Sequence, residues 1–342
     1  MEERLSAADA GAGEEAGAEL LVAHRGTVAT VTLNRPARLN ALSFGMLEGL
    51  RARLDAWERD DRVRTIVLRG AGGKAFCAGG DLRTFHEGMR SGDEAQRRYF
   101  AVEYALDYRI HTYPKPIVAV MDGIVMGGGM GLAQGASLRI VTDRTRMAMP
   151  ETAIGLFPDV GGSWFLSRVP GEIGTYLGLV GPTIGAADAI YCGLADVHVG
   201  AEPAPPELEA LRPAIDRHFA HDSVAAILGS LEAEERPECR EWAGRTLEAL
   251  RKRSPTMLVV TLEQLRRGAK LSLAECFRME LNLVHGALEH GDFLEGVRAV
   301  IVEKDNRPRW RPGRLAEVDP AVVRKFFAPR WSAAQHPLAS IP

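Results

Sequence analysis

Two acidic side chains sit where the sequence is otherwise apolar and rich in glycine. In the run Met149-Pro150-Glu151-Thr152-Ala153-Ile154-Gly155-Leu156-Phe157-Pro158-Asp159-Val160-Gly161-Gly162, each carboxylate directly follows a proline. Apolar surroundings disfavour an ionised carboxylate, so such groups need partners or a task. The fixed φ of proline helps hold the side chain that follows in one direction. Two carboxylates held near each other suit proton transfer or nucleophilic attack. Acids after proline also open helices, as N-caps or first-turn residues. The segment alone leaves both readings open.

Two upstream turns extend the chemistry. One is Gly70-Ala71-Gly72-Gly73-Lys74-Ala75-Phe76-Cys77-Ala78-Gly79-Gly80-Asp81; the other is Gly127-Gly128-Gly129-Met130-Gly131. Each follows an apolar, β-branched run, beginning at Thr65 and at Pro116, and each precedes a predicted helix. A strand, a glycine turn and a helix aim free backbone N–H groups and a helix dipole at one place. Two such turns could offer two donors to a single oxygen, forming an oxyanion hole. Neither run contains G-x-G-x-x-G, and Gly73-Lys74 is followed by Ala75, so dinucleotide and phosphate-loop readings fail. No G-x-S-x-G elbow occurs. The 9 histidines are dispersed, and Cys77, Cys192, Cys239 and Cys276 lack metal or redox spacing. The expectation is no metal and no organic cofactor.

Together with Asn34-Arg35-Pro36, the run Asp292-Phe293-Leu294-Glu295-Gly296-Val297-Arg298-Ala299-Val300-Ile301, and the following Lys304-Asp305 and Pro308-Arg309-Trp310, these motifs resemble the crotonase (enoyl-CoA hydratase/isomerase) superfamily. The match is closest to its 3-hydroxyisobutyryl-CoA hydrolase branch. That resemblance implies an α/β fold, with a spiral core of repeated strand–strand–helix units and a helical C-terminal region packed over the active site. It implies thioester hydrolysis of an acyl-CoA in valine catabolism, with coenzyme A as part of the substrate.

It also implies roles for individual residues. Glu151 matches the catalytic glutamate. Asp159 stands where hydratases have glycine and reads as a catalytic addition. Gly80 and Gly128 match the oxyanion hole, and Glu103 a substrate-contacting carboxylate. Arg35, Ala37 and Leu39 lie where the family meets the nucleotide end of coenzyme A, and Lys304, Arg307, Arg309 and Arg311 form a basic cluster that could meet its phosphates. Gly131 occupies the place of a second hydratase glutamate, which counts against water addition to a C=C bond. The competing readings are an enoyl-CoA hydratase or isomerase and a non-catalytic acyl-CoA-binding protein.

Composition sets the outer bounds. The chain has 342 residues, a formal charge of −3 and a pI of about 6.3. This argues against nucleic-acid and membrane-surface partners. No apolar run approaches the ~18 residues needed to span a bilayer. Residues 1–19 read as a disordered acidic tail without the pattern of a signal or transit peptide. With the scattered cysteines, this predicts a cytoplasmic protein. A catalytic core is expected over 20–200 and a helical region over 201–342, divided by Ala201-Glu202-Pro203-Ala204-Pro205-Pro206. A homo-oligomer is left open.

The positioning elements follow from pattern. Leu20–His24 and Val28–Leu33 read as a hairpin. Ser43 should cap a helix carrying Met46, Leu47, Leu50, Leu54 and Trp57 on one stripe. Leu138–Val141 and Arg146–Ala148 read as further short strands. Beyond the linker, helices are expected at Glu207–His218, Ser223–Glu235, Glu241–Arg253 and Leu271–His290.

Overall fold

Alternating apolar residues build the first hairpin, in which β1 (Leu20–Arg25) pairs antiparallel with β2 (Val28–Leu33), Leu20 opposite Leu33. The computed structural model describes residues 17–342, so most of the expected acidic tail lies outside the described residues. At the end of that stretch, Glu19 pairs with Arg35 at 2.9 Å. The remaining strands are β3 (Thr65–Gly70), β4 (Ala75–Cys77), β5 (Ile117–Met121), β6 (Ile124–Met126), β7 (Leu138–Thr142), β8 (Arg146–Ala148) and β9 (Val197–Val199). From β2 onward every pairing between strands is parallel.

The pairing makes the repeat visible. One sheet runs β1-β2-β3-β5-β7-β9 and the other β4-β6-β8. Each successive unit therefore contributes one strand to the large sheet and the next to the small one. This is the α/β spiral of strand–strand–helix units expected from the motifs. Its consequence is positional. The segments following β4, β6 and β8 all leave the same end of adjacent parallel strands, and they carry Gly80, Gly128 and Glu151. The carboxyl ends of parallel strands are where open α/β sheets bind ligands.

Helices cover the sheets. In the first part they are α1 (Phe44–Glu58), α2 (Leu82–Ser91), α3 (Glu94–Arg97), α4 (Tyr99–His111), α5 (Gly128–Gln134), α6 (Gly162–Phe165), α7 (Ile173–Val180) and α8 (Ala186–Tyr191). The Ser43 hydroxyl accepts from the Met46 amide at 3.1 Å, and the five expected apolar residues of α1 are buried. After β9 come α9 (Glu207–Phe219), α10 (Val224–Glu232), α11 (Pro237–Arg251), α12 (Pro255–Gly268), α13 (Leu273–His290), α14 (Asp292–Val297) and α15 (Pro320–Phe326).

No element was expected at α12, yet it is the most enclosed of the C-terminal helices. Ten of its 14 residues are buried, among them Thr256, Thr261 and Gln264. Its polar face is narrowed to Glu263, Arg266 and Arg267, which weakens the periodicity that reveals a surface helix.

The two parts share one core. Phe293 of α14 packs against Phe85 of α2 and Phe100 of α4, with ring centroids 5.8 and 6.0 Å apart. Phe277 of α13 meets Tyr104 of α4 at 5.9 Å. The Arg83 guanidinium donates to the Ile301 carbonyl at 2.5 Å, tying α2 to the turn after α14.

Candidate active site

A cavity of about 220 Å³ opens at the ends of β4, β6 and β8. Its walls include Gly80, Gly128, Glu103, Glu151 and Asp159, so five sequence-predicted residues from four separate segments meet there. Apolar lining comes from Leu82, Phe100, Met126, Leu156 and Val160, and from Val300 and Ile301 far along the chain. The last two follow α14 in a short π-helical turn, Arg298–Val302.

Both glycine turns reach the cavity wall, at Gly79-Gly80 and Gly127-Gly128. Gly79 and Gly127 hold φ of +105° and +49°, conformations open to glycine and strained for other residues. Each sets the direction in which the chain enters the next residue, Gly80 or Gly128, at the cavity wall. Among the described residues, neither the Gly80 nor the Gly128 N–H donates to a protein acceptor. The Gly80 segment is braced from both sides. The Leu42 amide donates to the Gly79 carbonyl at 2.8 Å, and the Asp81 amide to the Leu42 carbonyl at 2.9 Å. Gly128 must be a glycine for space as well. A Cβ there would overlap the Glu103 carboxylate and lie 3.1 Å from Leu42 Cδ1.

Glu151 opens a 3-10 turn, Glu151–Ile154, directly after Pro150. Its side chain is buried and its Oε2 has no hydrogen-bond partner. Asp159 is equally buried and accepts from the Tyr104 hydroxyl at 2.6 Å. Glu103 is 2 % exposed, and its Oε1 is unpartnered. Four residues further along α4 stands Asp107, wholly buried, with both oxygens unpartnered. Sequence reasoning missed Asp107 and Tyr104. The signal was there: positions 103 and 107 share a helix face with the core residues Phe100, Leu106 and Ile110 nearby.

Gly131 turns out to have a neighbour in this cluster. A Cβ at 131 would stand 2.6 Å from Asp107 Oδ2 and 2.7 Å from Val160 Cβ. The space a side chain would need at this position is therefore filled by a carboxyl from α4.

Burial governs the protonation of the cluster. Desolvation, then the charge of Asp159, pushes Glu151 and Glu103 well above the ordinary glutamate range. Desolvation followed by Glu103 and Asp159 does the same for Asp107. Asp159 rises only to about 6, because the Tyr104 hydroxyl and its own backbone favour the ionised form against burial. Like charges this close ionise in shared steps rather than one by one. Cys77, beside the Gly80 turn, is buried and pushed up to about 12, which makes it a packing residue rather than a thiolate nucleophile.

The expected coenzyme A contacts fall outside the cavity lining. The Arg35 guanidinium is engaged internally, donating to Asp81 Oδ2 at 2.7 Å and the Ala41 carbonyl at 2.6 Å, besides its pair with Glu19. It braces the residue that follows Gly80. Ala37 lies on an exposed 3-10 turn, and Leu39 ends that turn with φ +51° while its carbonyl accepts from the Ala78 amide. Lys304, Arg307, Arg309 and Arg311 are exposed. They are interleaved with acids: Arg298 binds Glu295, Glu303 and Asp305 in the same segment.

The sequence model of the enoyl-CoA hydratase/isomerase family matches residues 28–206 and 198–327, spanning most of the chain. The chain belongs to the enoyl-CoA hydratase/isomerase family. Within this family, the chain is 40% identical to 3-hydroxyisobutyryl-CoA hydrolase, mitochondrial, of Gallus gallus, across 92% of this chain and 90% of that one. It is 41% identical to a carnitinyl-CoA dehydratase from Mycobacterium thermoresistibile whose crystal structure superposes with a TM-score of 0.86, covering 91% of this chain and 96% of that one. It is also 38% identical to the small ribosomal subunit protein mS47 of Neurospora crassa, over 85% of this chain and 67% of that one. Relatives of nearly equal identity thus carry three different descriptions, so the site residues must separate them.

The expectation of a cytoplasmic protein is overturned by the first of these relatives, whose name places it in the mitochondrion. Free thiols and a modest net charge suit any compartment outside the oxidising secretory route. Neither feature singled out the cytosol.

Proposed function

We infer that the protein hydrolyses 3-hydroxyisobutyryl-CoA to 3-hydroxyisobutyrate and free coenzyme A, a step of valine breakdown. One observation carries this reading: Glu151 and Asp159 face one cavity together with the free N–H groups of Gly80 and Gly128. The two amides receive the thioester oxygen as negative charge grows on it. A donor pair of this kind contributes about 2.7–4 kcal/mol for each member. In its ionised form Glu151, made more basic by burial, takes a proton from water or attacks the carbonyl itself, giving a mixed anhydride that water then cleaves. Asp159 and Glu103, which line the same cavity, are read as the groups that meet the 3-hydroxyl. The thiolate leaves with little acid assistance, because a thiol has a pKa of about 8.5.

The hydratase reading lacks its second glutamate, since position 131 is glycine and Asp107 and Val160 crowd the space beside it. A scaffold without activity would have no need of four buried carboxyls and two unpaired amides. The reaction as read uses these groups alone, without metal or organic cofactor, and full activity after exhaustive chelation is expected.

The deciding experiment follows free thiol release from a panel of acyl-CoAs, alongside absorbance of the enoyl thioester. Release from 3-hydroxyisobutyryl-CoA supports hydrolysis. Loss of enoyl absorbance without thiol release would move the protein to the hydratases, and neither signal would make it a binding protein. Adding or removing a methyl in an apolar pocket changes discrimination by about 1–3 kcal/mol, so 3-hydroxypropionyl-CoA belongs in the panel.

A further inference from the structure

The turn carrying Asp159 is held from outside the strand–strand–helix core. Val160 has φ of +53°, a region that a β-branched residue occupies only where its surroundings impose it. Gly161 follows at +90°. This bend turns two amides toward one side chain. Gly161 N donates to Glu280 Oε2 and Ser163 N to Glu280 Oε1, each at 2.8 Å. Glu280 lies on α13, 119 residues beyond Gly161, and is completely buried. A second side chain grips the same turn. Gln264 of α12 donates to the Pro158 carbonyl at 2.6 Å and to Ser163 Oγ at 2.8 Å. Neither Glu280 nor Gln264 lines the cavity.

We propose that Glu280, assisted by Gln264, is a positioning residue for the reaction, holding the strained turn that presents the Asp159 carboxylate to Tyr104 and the cavity. Two buried N–H groups matched to the two oxygens of one carboxyl leave the turn a single arrangement. Without that match the backbone at Val160 relaxes, and Asp159, one residue earlier, moves with it. The C-terminal helices are then part of the catalytic apparatus as well as its cover. An apolar residue at position 280 would fill the space but leave both amides unsatisfied. The activity arm of this inference rests on the hydrolase reading.

The test uses Glu280→Gln and Gln264→Met in the full chain. A glutamine at 280 has one carbonyl, so its NH2 group must face one of the two amide donors. Deuterium exchange is measured across the whole chain. The expected result is exchange at least about tenfold faster in the peptide covering Asp159 to Ser163, with strands β3 and β5 unchanged. In turnover, kcat falls by about tenfold or more while KM stays within about twofold. Placed on Asp159→Asn, Glu280→Gln adds little further loss of kcat. Unchanged exchange in that peptide overturns the proposal. So does a kcat loss as large in the Asp159→Asn background as in the wild type. If Glu280→Gln does not fold, Gln264→Met decides by the same readouts. A wild-type protein that hydrolyses no acyl-CoA would sink the hydrolase reading, while the exchange arm would still decide whether Glu280 holds the turn.

Discussion

Gly128→Ala separates the oxyanion hole from the bulk of the cavity. The added methyl would overlap the Glu103 carboxylate and press on Leu42 Cδ1 at 3.1 Å, tighter than ordinary contact. The Glu103 carboxylate, the end of a flexible side chain lining the cavity, can swing aside, but Leu42 is fully packed and has little room to withdraw. Strain is therefore relieved by moving the Gly128 segment, and with it the amide aimed at the thioester oxygen. A displaced donor forfeits most of its contribution, about 2.7–4 kcal/mol, or roughly 100- to 1,000-fold in kcat at 1.36 kcal/mol per tenfold. Substrate binding depends mainly on the coenzyme A moiety, so KM should change by less than about threefold. Gly131→Ala is the comparison. It collides with Asp107 and Val160 in the same cluster but carries no oxyanion donor. It should lower the melting temperature more than Gly128→Ala while sparing kcat more. Steady-state thiol release and thermal melting on both variants read this directly. A kcat loss under about tenfold for Gly128→Ala, with the fold intact, would refute the role of this amide.

Three further outcomes follow from the carboxyl cluster. Glu151→Gln should leave less than about a tenth of the wild-type rate, a loss above ~1.4 kcal/mol, while isothermal titration still shows acyl-CoA binding; retained turnover would remove Glu151 from the reaction. Tyr104→Phe deletes the hydroxyl that favours ionised Asp159, so the Asp159 carboxyl should titrate at higher pH, as followed by carbon NMR of the labelled side chain; a shift to lower pH would reverse the assignment. Asp159→Asn should stabilise the protein in alkali and hardly at all in acid. The folded pKa of about 6 lies above the ordinary 3.8, so the fold holds the extra proton. That contribution is complete below about pH 4 and lost as pH rises through 6, worth about 3 kcal/mol. Denaturant melts at pH 4 and pH 8 give the difference, and equal effects at the two pH values would contradict it.

Much of the local architecture could be read from residue order. The β1–β2 hairpin lies where alternation and Arg25-Gly26 placed it, within a residue at each end. The Ser43 cap and the apolar stripe of α1 are as read. These features depend on interactions within a few residues, which neighbouring side chains determine on their own. The glycine turns were legible for the same reason, because positive φ at Gly79 and Gly127 is a property of the residue type and its immediate chain.

Residues whose meaning depends on distant partners were not legible. Asp107 looks like any helix acid until the fold buries it beside Gly131. The resemblance puts Arg35 at the nucleotide end of coenzyme A, yet Asp81, Ala41 and Glu19 engage its guanidinium within the protein. Helix α12 is hidden by its own enclosure, since burial narrows the polar face that would mark it to Glu263, Arg266 and Arg267. By itself the sequence determined which side chains could do chemistry and the short turns that carry them. Only the tertiary structure decided which carboxyls share one desolvated cavity, and therefore which of them hold protons, because desolvation and like-charge repulsion depend on separations through space rather than along the chain.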